Sequence, residues 1–226
     1  MKYEEIMRRL KSLSDPLAVA GMKRFGISTD KTYGISIPNL RKISEEIGKD
    51  HQLAEQLWVS GVHEARILAC MIDDVGMVTE GQIEGWAKSF DSWDVCDQCC
   101  GNLFDKTKFA YQKAKEWSTR KEEFVKRAGF VLMAELAVHD KKTADEEFLN
   151  FLPIIKKEST DDRNFVKKAV NWALRQIGKR NKDLNAKAIE TAKEILKIDS
   201  RSSKWIASDA IRELTNDAVK KRLKQL

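Results

Sequence analysis

The sequence predicts an all-α protein, and three observations carry that prediction. Helix breakers are scarce, apolar residues recur at helical spacing in nearly every segment, and no alternating stretch is long enough to be a strand. Only 3 prolines and 11 glycines occur in 226 residues, and so few breakers favour helices over many short strands. Hydrophobic residues make up 42% of the chain and charged residues 34%, a foldable composition in a length sufficient for a sizeable core.

The first helix spans residues 3–13 and places Ile6, Leu10 and Leu13 on one face. Ser14-Asp15-Pro16 stops it and starts another over 17–25, with Asp15 as the cap and Pro16 in the first turn. Residues 26–37 are the least helical, with Gly26 and Gly34. Pro38 then opens a helix that carries Leu40, Ile43 and Ile47. Helix, short turn and helix alternate from there, over 50–59, 63–74, 79–90, 93–104, 109–117, 122–138, 143–155, 163–178, 184–196 and 202–214.

Four of these helices share a design, with small residues near the start and bulky apolar residues after. They contain Glu64 to Cys70, Lys126 to Leu132, Val166 to Leu174 and Trp205 to Ile211. Their spacing of about 30 to 41 residues lies near the helical-pair repeat of HEAT and armadillo arrays. The expected architecture is therefore an α-solenoid of HEAT-like antiparallel helix pairs, running as a single domain over residues 1–226. Small residues let inner helices approach closely, so stacked pairs build one continuous core and a concave surface.

The net charge of +6 and pI of about 9.0 are compatible with a polyanionic partner, although distribution matters more than the sum. No run of about 18 apolar residues marks a membrane span. The opening Met1-Lys2-Tyr3-Glu4-Glu5-Ile6 is too charged for a signal peptide, so a cytoplasmic location is expected, with no membrane partner. The phosphate-binding motifs GxGxxG and GxxxxGK[ST] do not occur, nor do HExxH and GxSxG, which leaves nucleotide hydrolysis, metalloprotease and serine-hydrolase chemistry without support. Cys96-x-x-Cys99 has no second pair. With Cys70 and Cys100, these thiols read as small, reduced, buried hydrophobes rather than a metal site. His51, His63 and His139 find no evident partner in sequence.

Ser92-Trp93-Asp94-Val95-Cys96-Asp97-Gln98 is the most unusual run. Trp93 and Asp97 are four apart, so a helix puts an indole and a carboxylate on one face. Arg127 and Trp172 lie in later inner helices, where a concave surface would form. Alone, Trp93 and Trp172 read as core aromatics, Arg127 as an ordinary ion-pair partner, and Lys167-Lys168 and Lys179-Arg180 as solvated faces. Trp58, Trp86, Trp117 and Trp205 are expected to be packing residues.

In combination, Trp93-x-x-x-Asp97, Arg127 and Trp172-Ala173-Leu174-Arg175 resemble the functional set of the AlkD-type DNA alkylation repair glycosylases. Gly34-Ile35-Ser36-Ile37-Pro38-Asn39-Leu40-Arg41, Leu57-Trp58 with His63-Glu64-Ala65-Arg66, and the last helix extend that likeness over nearly the whole chain. The resemblance implies a C-shaped array whose basic concave face grips duplex DNA, and removal of N3- and N7-alkylated purines without a base pocket. It implies Asp97 as the catalytic carboxylate and Trp93 and Trp172 as aromatic walls against the lesion's deoxyribose. Arg127 and Arg175 would hold the backbone, with Lys126, Lys168 and Lys179 among the phosphate contacts. No metal or other cofactor is implied, and the partner is double-stranded DNA containing alkylated purines, bound by a monomer. One departure stands out: an aromatic of the family's early helix is matched here by Gly21, and Phe25 or Tyr33 are the residues available to replace it.

These residue types suit that chemistry. An N3- or N7-alkylated purine is already cationic and leaves without protonation, so the difficulty is the oxocarbenium-like charge that develops on the sugar. A carboxylate and the negative faces of aromatic rings stabilise such a charge. Two alternatives predict different behaviour. A non-catalytic HEAT-like module would bind nucleic acid without releasing bases, and a protein–protein scaffold would show no salt-dependent DNA affinity.

Overall fold

Capping residues set the helix starts much as the sequence predicts. Asp15 accepts from the backbone N–H groups of Leu17 and Ala18, with Pro16 just inside α2 (Pro16–Lys23), which follows α1 (Tyr3–Ser12). Asp50, Thr79, Asn181 and Ser200 likewise cap α4 (His51–Val59), α6 (Glu80–Lys88), α13 (Lys182–Leu196) and α14 (Arg201–Leu214). Such caps satisfy N–H groups that a helix end leaves without partners. The remaining helices are α3 (Ile37–Ile47), α5 (His63–Ile72), α7 (Trp93–Asn102), α8 (Ala110–Trp117), α9 (Glu123–His139), α10 (Asp145–Leu149), α11 (Phe151–Glu158), α12 (Asn164–Gly178) and α15 (Asp217–Lys224). A single 3₁₀ turn, Phe104–Lys106, follows α7. The structure is a computed structural model that describes residues 1–224, and no strand occurs among them.

Two elements differ from the sequence expectation. The helix expected over 143–155 is split into α10 and α11 around Asn150. Pro153 has no N–H to donate to the carbonyl one turn earlier and its ring crowds that carbonyl. α15 was not expected, because only Val219 and Leu223 mark its apolar face. Both are buried, at 8% and 4% exposure.

The chain forms two compact units, Met1–Thr107 and Lys108–Leu226. In the first, α5 packs on α3, α4 and α7, around Leu40, Ile43, Leu57, Ile67 and Leu68. The indoles of Trp58 and Trp86 stack at 4.0 Å between centroids, nearly parallel. In the second, α9, α12 and α14 form the inner stack, with α8 packed on α9 and α13 on α12 and α14.

Side chains across α12 and α14 meet at a constant offset. Lys167 meets Trp205, Asn171 meets Asp209 and Arg175 meets Glu213, each pair 38 positions apart in the numbering. A constant positive offset means that the two helices run parallel and in register, as equivalent members of successive helical pairs. The same offset joins α9 to the first turn of α12, where Arg127 donates to the Phe165 carbonyl.

Candidate nucleic-acid interface

Trp93 is the first residue of α7, and Asp97 follows one turn later on the same face. Both are half-buried, while Val95, Cys96, Cys99 and Cys100 turn into the core. The Trp93 indole N–H donates to the main-chain carbonyl of Phe25 at 3.0 Å. Phe25 lies in the irregular segment between α2 and α3, and its side chain is 69% exposed. Of the two aromatic residues considered as substitutes at Gly21, Phe25 is the one joined to Trp93.

Glu64 fixes that segment from below. Its carboxylate is buried, at 1% exposure, and accepts from three consecutive backbone N–H groups: Tyr33 at 2.9 Å, Gly34 at 2.6 Å and Ile35 at 3.3 Å. The His63 N–H donates to the Lys31 carbonyl at 2.8 Å. Gly34 has φ +80°, and a Cβ there would lie 2.5 Å from the Asp15 carbonyl oxygen, so only glycine fits this turn. The stretch His63-Glu64-Ala65-Arg66 carries family likeness, but nothing in it gave Glu64 a role. In sequence it is one acid in the first turn of a helix, and its three acceptor bonds depend on a segment some 30 residues earlier.

The histidines have partners that the sequence did not reveal. His63 Nε2 lies 2.8 Å from Asp94 Oδ2, and the other Asp94 oxygen accepts from the Ser92 hydroxyl and the Val95 N–H. Burial disfavours the protonated His63 ring, but contact with Asp94 outweighs it and raises the pKa. Burial likewise works against the Asp94 carboxylate, and His63, Ser92 and Val95 together hold its pKa below the ordinary value. A polar hollow of about 260 Å³ opens beside this pair, with Lys31, His63, Arg66 and Asp91 on its walls. His51 pairs with the fully buried Asp73 at 2.7 Å, and His139 lies 3.7 Å from Glu135. All four cysteines are buried and unbridged. Burial pushes the Cys99 and Cys100 thiols up, which keeps them neutral and unreactive. Among the described residues no group of His, Cys, Asp and Glu is arranged to hold a metal ion, and no helix is long and apolar enough to cross a membrane.

The second unit carries the remaining candidates. Lys126 is buried, at 8% exposure, with its ammonium 2.5 Å from Glu158 and 2.9 Å from Asp161. The sequence reading placed Lys126 against DNA. The structure gives it internal partners instead, because a buried ammonium needs carboxylates around it. Arg127 is also buried and donates to the Phe165 carbonyl at 2.6 Å. Arg175 and Lys179 are half-buried and share the Glu213 carboxylate. Lys168 is exposed, and among the described residues it has no ion-pair or hydrogen-bond partner. Trp172 follows it by one turn, half-buried on the same face. Trp205 is not the packing residue expected: it is 42% exposed, with the Lys167 ammonium 5.3 Å from its ring centroid.

Charge divides sharply between the units. Residues 1–107 hold 13 basic and 17 acidic residues, a net −4, while residues 108–226 hold 28 and 18, a net +10. The opening turns of α12 and α14 contain no acidic residue. Cations sit there against the positive end of the helix dipole, where acids are the stabilising choice.

The model of the DNA alkylation repair enzyme family matches residues 6–214. The chain belongs to that family. Two relatives are the uncharacterized proteins Lin0241 of Listeria innocua, 26% identical, and Lmo0209 of Listeria monocytogenes, 24% identical, each over 200 residues and 87% of both chains. Among solved structures, one from a family described as related to the HEAT-like repeat DNA glycosylases, with affinity for branched DNA structures, superposes with a TM-score of 0.78. It is 20% identical, with 94% of this chain and 95% of that one covered. The DNA alkylation repair chain thus has the solenoid-type, HEAT-like helical fold that its repeat pattern predicts.

Proposed function

We propose that this chain is a DNA glycosylase that excises cationic N3- and N7-alkylated purines from duplex DNA. The observation that carries the reading is the Trp93–Asp97 pair: an indole anchored through its N–H to Phe25, and a carboxylate one turn away on the same face. The glycosidic bond breaks with its electron pair going to the cationic purine, which leaves neutral. Charge builds on the deoxyribose, where Asp97 stabilises it and the Trp93 ring face adds its quadrupole. Water then adds at the sugar carbon and gives up a proton, with Asp97 orienting it. No lysine nucleophile is needed, so the activity is monofunctional. Phe25 offers a further aromatic surface beside Trp93. Trp172, Lys168, Arg175 and Lys179 contact the duplex from the strongly basic second unit, and Arg127, buried against the Phe165 carbonyl, braces α12 behind them.

The test is release of free 7-methylguanine and 3-methyladenine from methylated duplex DNA. Wild type should release them, and Asp97→Asn should lose on the order of 10²-fold or more. A second reading is DNA binding without base release. It is favoured by the fold shared with proteins described as having affinity for branched DNA. Tight binding by wild type with no released base supports that reading and rejects the glycosylase.

A further inference from the structure

Trp205, Lys167, Arg201 and Lys204 form a surface that the proposed reaction does not use, and Lys168 adjoins it. The indole is 42% exposed on α14, in a fold where the indoles of Trp58, Trp86 and Trp117 are at most 7% exposed. Lys167 reaches it from α12 and holds its ammonium 5.3 Å from the ring centroid. Arg201 lies one turn before Trp205 on the same face of α14. Arg201 and Lys168 are exposed, and among the described residues neither has an ion-pair or hydrogen-bond partner. Lys204 pairs at 2.7 Å with Asp199, both well exposed, a surface contact of little strength that a phosphate would readily displace.

Four cations thus lie in the opening turns of the two adjacent helices that carry Lys167 and the exposed Trp205 ring, within a unit of net charge +10. Like charges gathered in this way repel one another. An aromatic ring among solvent-facing cations is complementary to a strand of nucleic acid, whose phosphates alternate with flat bases and sugars.

We propose that Trp205, with Lys167, Lys168, Arg201 and Lys204, is a further DNA contact, made by residues other than Asp97 and Trp93. The exposed indole takes a deoxyribose or an accessible base, and Lys168, Arg201 and Lys204 take the flanking phosphates. This inference rests on the DNA-binding part of the reading above and is independent of base release.

The test is equilibrium binding of a fluorescent duplex, and of the same sequences assembled as a four-way junction, over a salt series. Wild type is compared with Trp205→Ala, Trp205→Phe and Arg201→Ala. Trp205→Ala should weaken binding about tenfold or more with an unchanged salt slope, because stacking is not ionic. Trp205→Phe should recover most of the loss. Arg201→Ala should weaken binding and flatten the slope of log K against log salt by about one. Arg201 is exposed and has no ion-pair or hydrogen-bond partner among the described residues, so its removal should leave the melting temperature unchanged. If both Trp205→Ala and Arg201→Ala bind like wild type, the contact is overturned while DNA binding and base release stand. If wild type binds neither DNA, the inference and the DNA reading fail together.

Discussion

The indole N–H of Trp93 and the carbonyl oxygen of Phe25 are 3.0 Å apart, although 68 residues separate them in the chain. That bond sets where the Trp93 ring stands. Phe25 is tied to the end of α2, where its N–H donates to the Met22 carbonyl at 3.0 Å, and the far end of the same segment is held by Glu64, through the N–H groups of Tyr33, Gly34 and Ile35. The segment that carries this acceptor is thus pinned at both ends, by α2 and by a buried carboxylate of α5.

Glu64→Ala should therefore act at a distance. It leaves three backbone N–H groups without their charged acceptor, at a cost on the order of 3 kcal/mol. Urea unfolding should show a lower midpoint with an unchanged slope. The Trp93 indole N–H resonance in a nitrogen-labelled sample should move as the 25–35 segment loosens, while that of Trp117, at 0% exposure, stays in place. An unmoved Trp93 resonance would mean that the segment holds its position without Glu64.

Lys126 and Lys168 are two residues of one sequence class with opposite expected behaviour. Lys168→Ala should weaken DNA binding and reduce the salt slope by about one, leaving the melting temperature within about a degree. Lys126→Ala removes the ammonium between Glu158 and Asp161 and should cost about 3 kcal/mol, because the largely buried Glu158 carboxylate loses its close partner while Asp161 keeps only Arg163. Its DNA salt slope should match wild type. A salt slope that changes in Lys126→Ala would restore that residue to the interface.

Asp161 gives the fold an acid limit. Burial raises its pKa, but hydrogen bonds from Arg163 and Lys126 outweigh this and bring it from 3.8 to about 2. A group whose folded pKa is depressed contributes stability that is complete above its unfolded pKa and is lost as pH falls through the folded one. Unfolding free energy should therefore decline between about pH 4 and pH 2. Asp161→Asn should start lower at neutral pH and show a shallower decline in that window. Equal declines in variant and wild type would show that Asp161 does not govern it.

Gly129 should resist a substitution that helix propensity recommends. Alanine in a helix interior is better than glycine by about 1 kcal/mol, but a Cβ at Gly129 would lie 2.4 Å from the Ser118 backbone nitrogen and 2.9 Å from the Trp117 carbonyl carbon. Backbone cannot yield as a flexible side chain does, so Gly129→Ala should be less stable than wild type, by about 2 kcal/mol net. Gly85, exposed on α6 with nothing within 4 Å of its Cβ position, is the control. There alanine should raise the melting temperature.

By itself the sequence determined the helices, their pairing rhythm and the short list of candidate side chains. Helical periodicity, caps such as Asp15 and Asp50, and the Trp93–Asp97 spacing are local properties, encoded within a few residues of where they act. The split at Asn150 was also within reach, since Pro153 is plain in the chain. The tertiary structure decided which side chains are available. It buried Lys126 and left Lys168 exposed, turned Trp205 outward, gave His63 to Asp94, and brought the Phe25 carbonyl to Trp93. The pairings among these join residues 31 to 68 positions apart, as with His63 and Asp94 or Trp93 and Phe25. A lysine in a helix has the same local signature whether it faces a carboxylate or solvent. Only packing between helices assigns the partner, because burial and pairing belong to the folded neighbourhood and not to the residue.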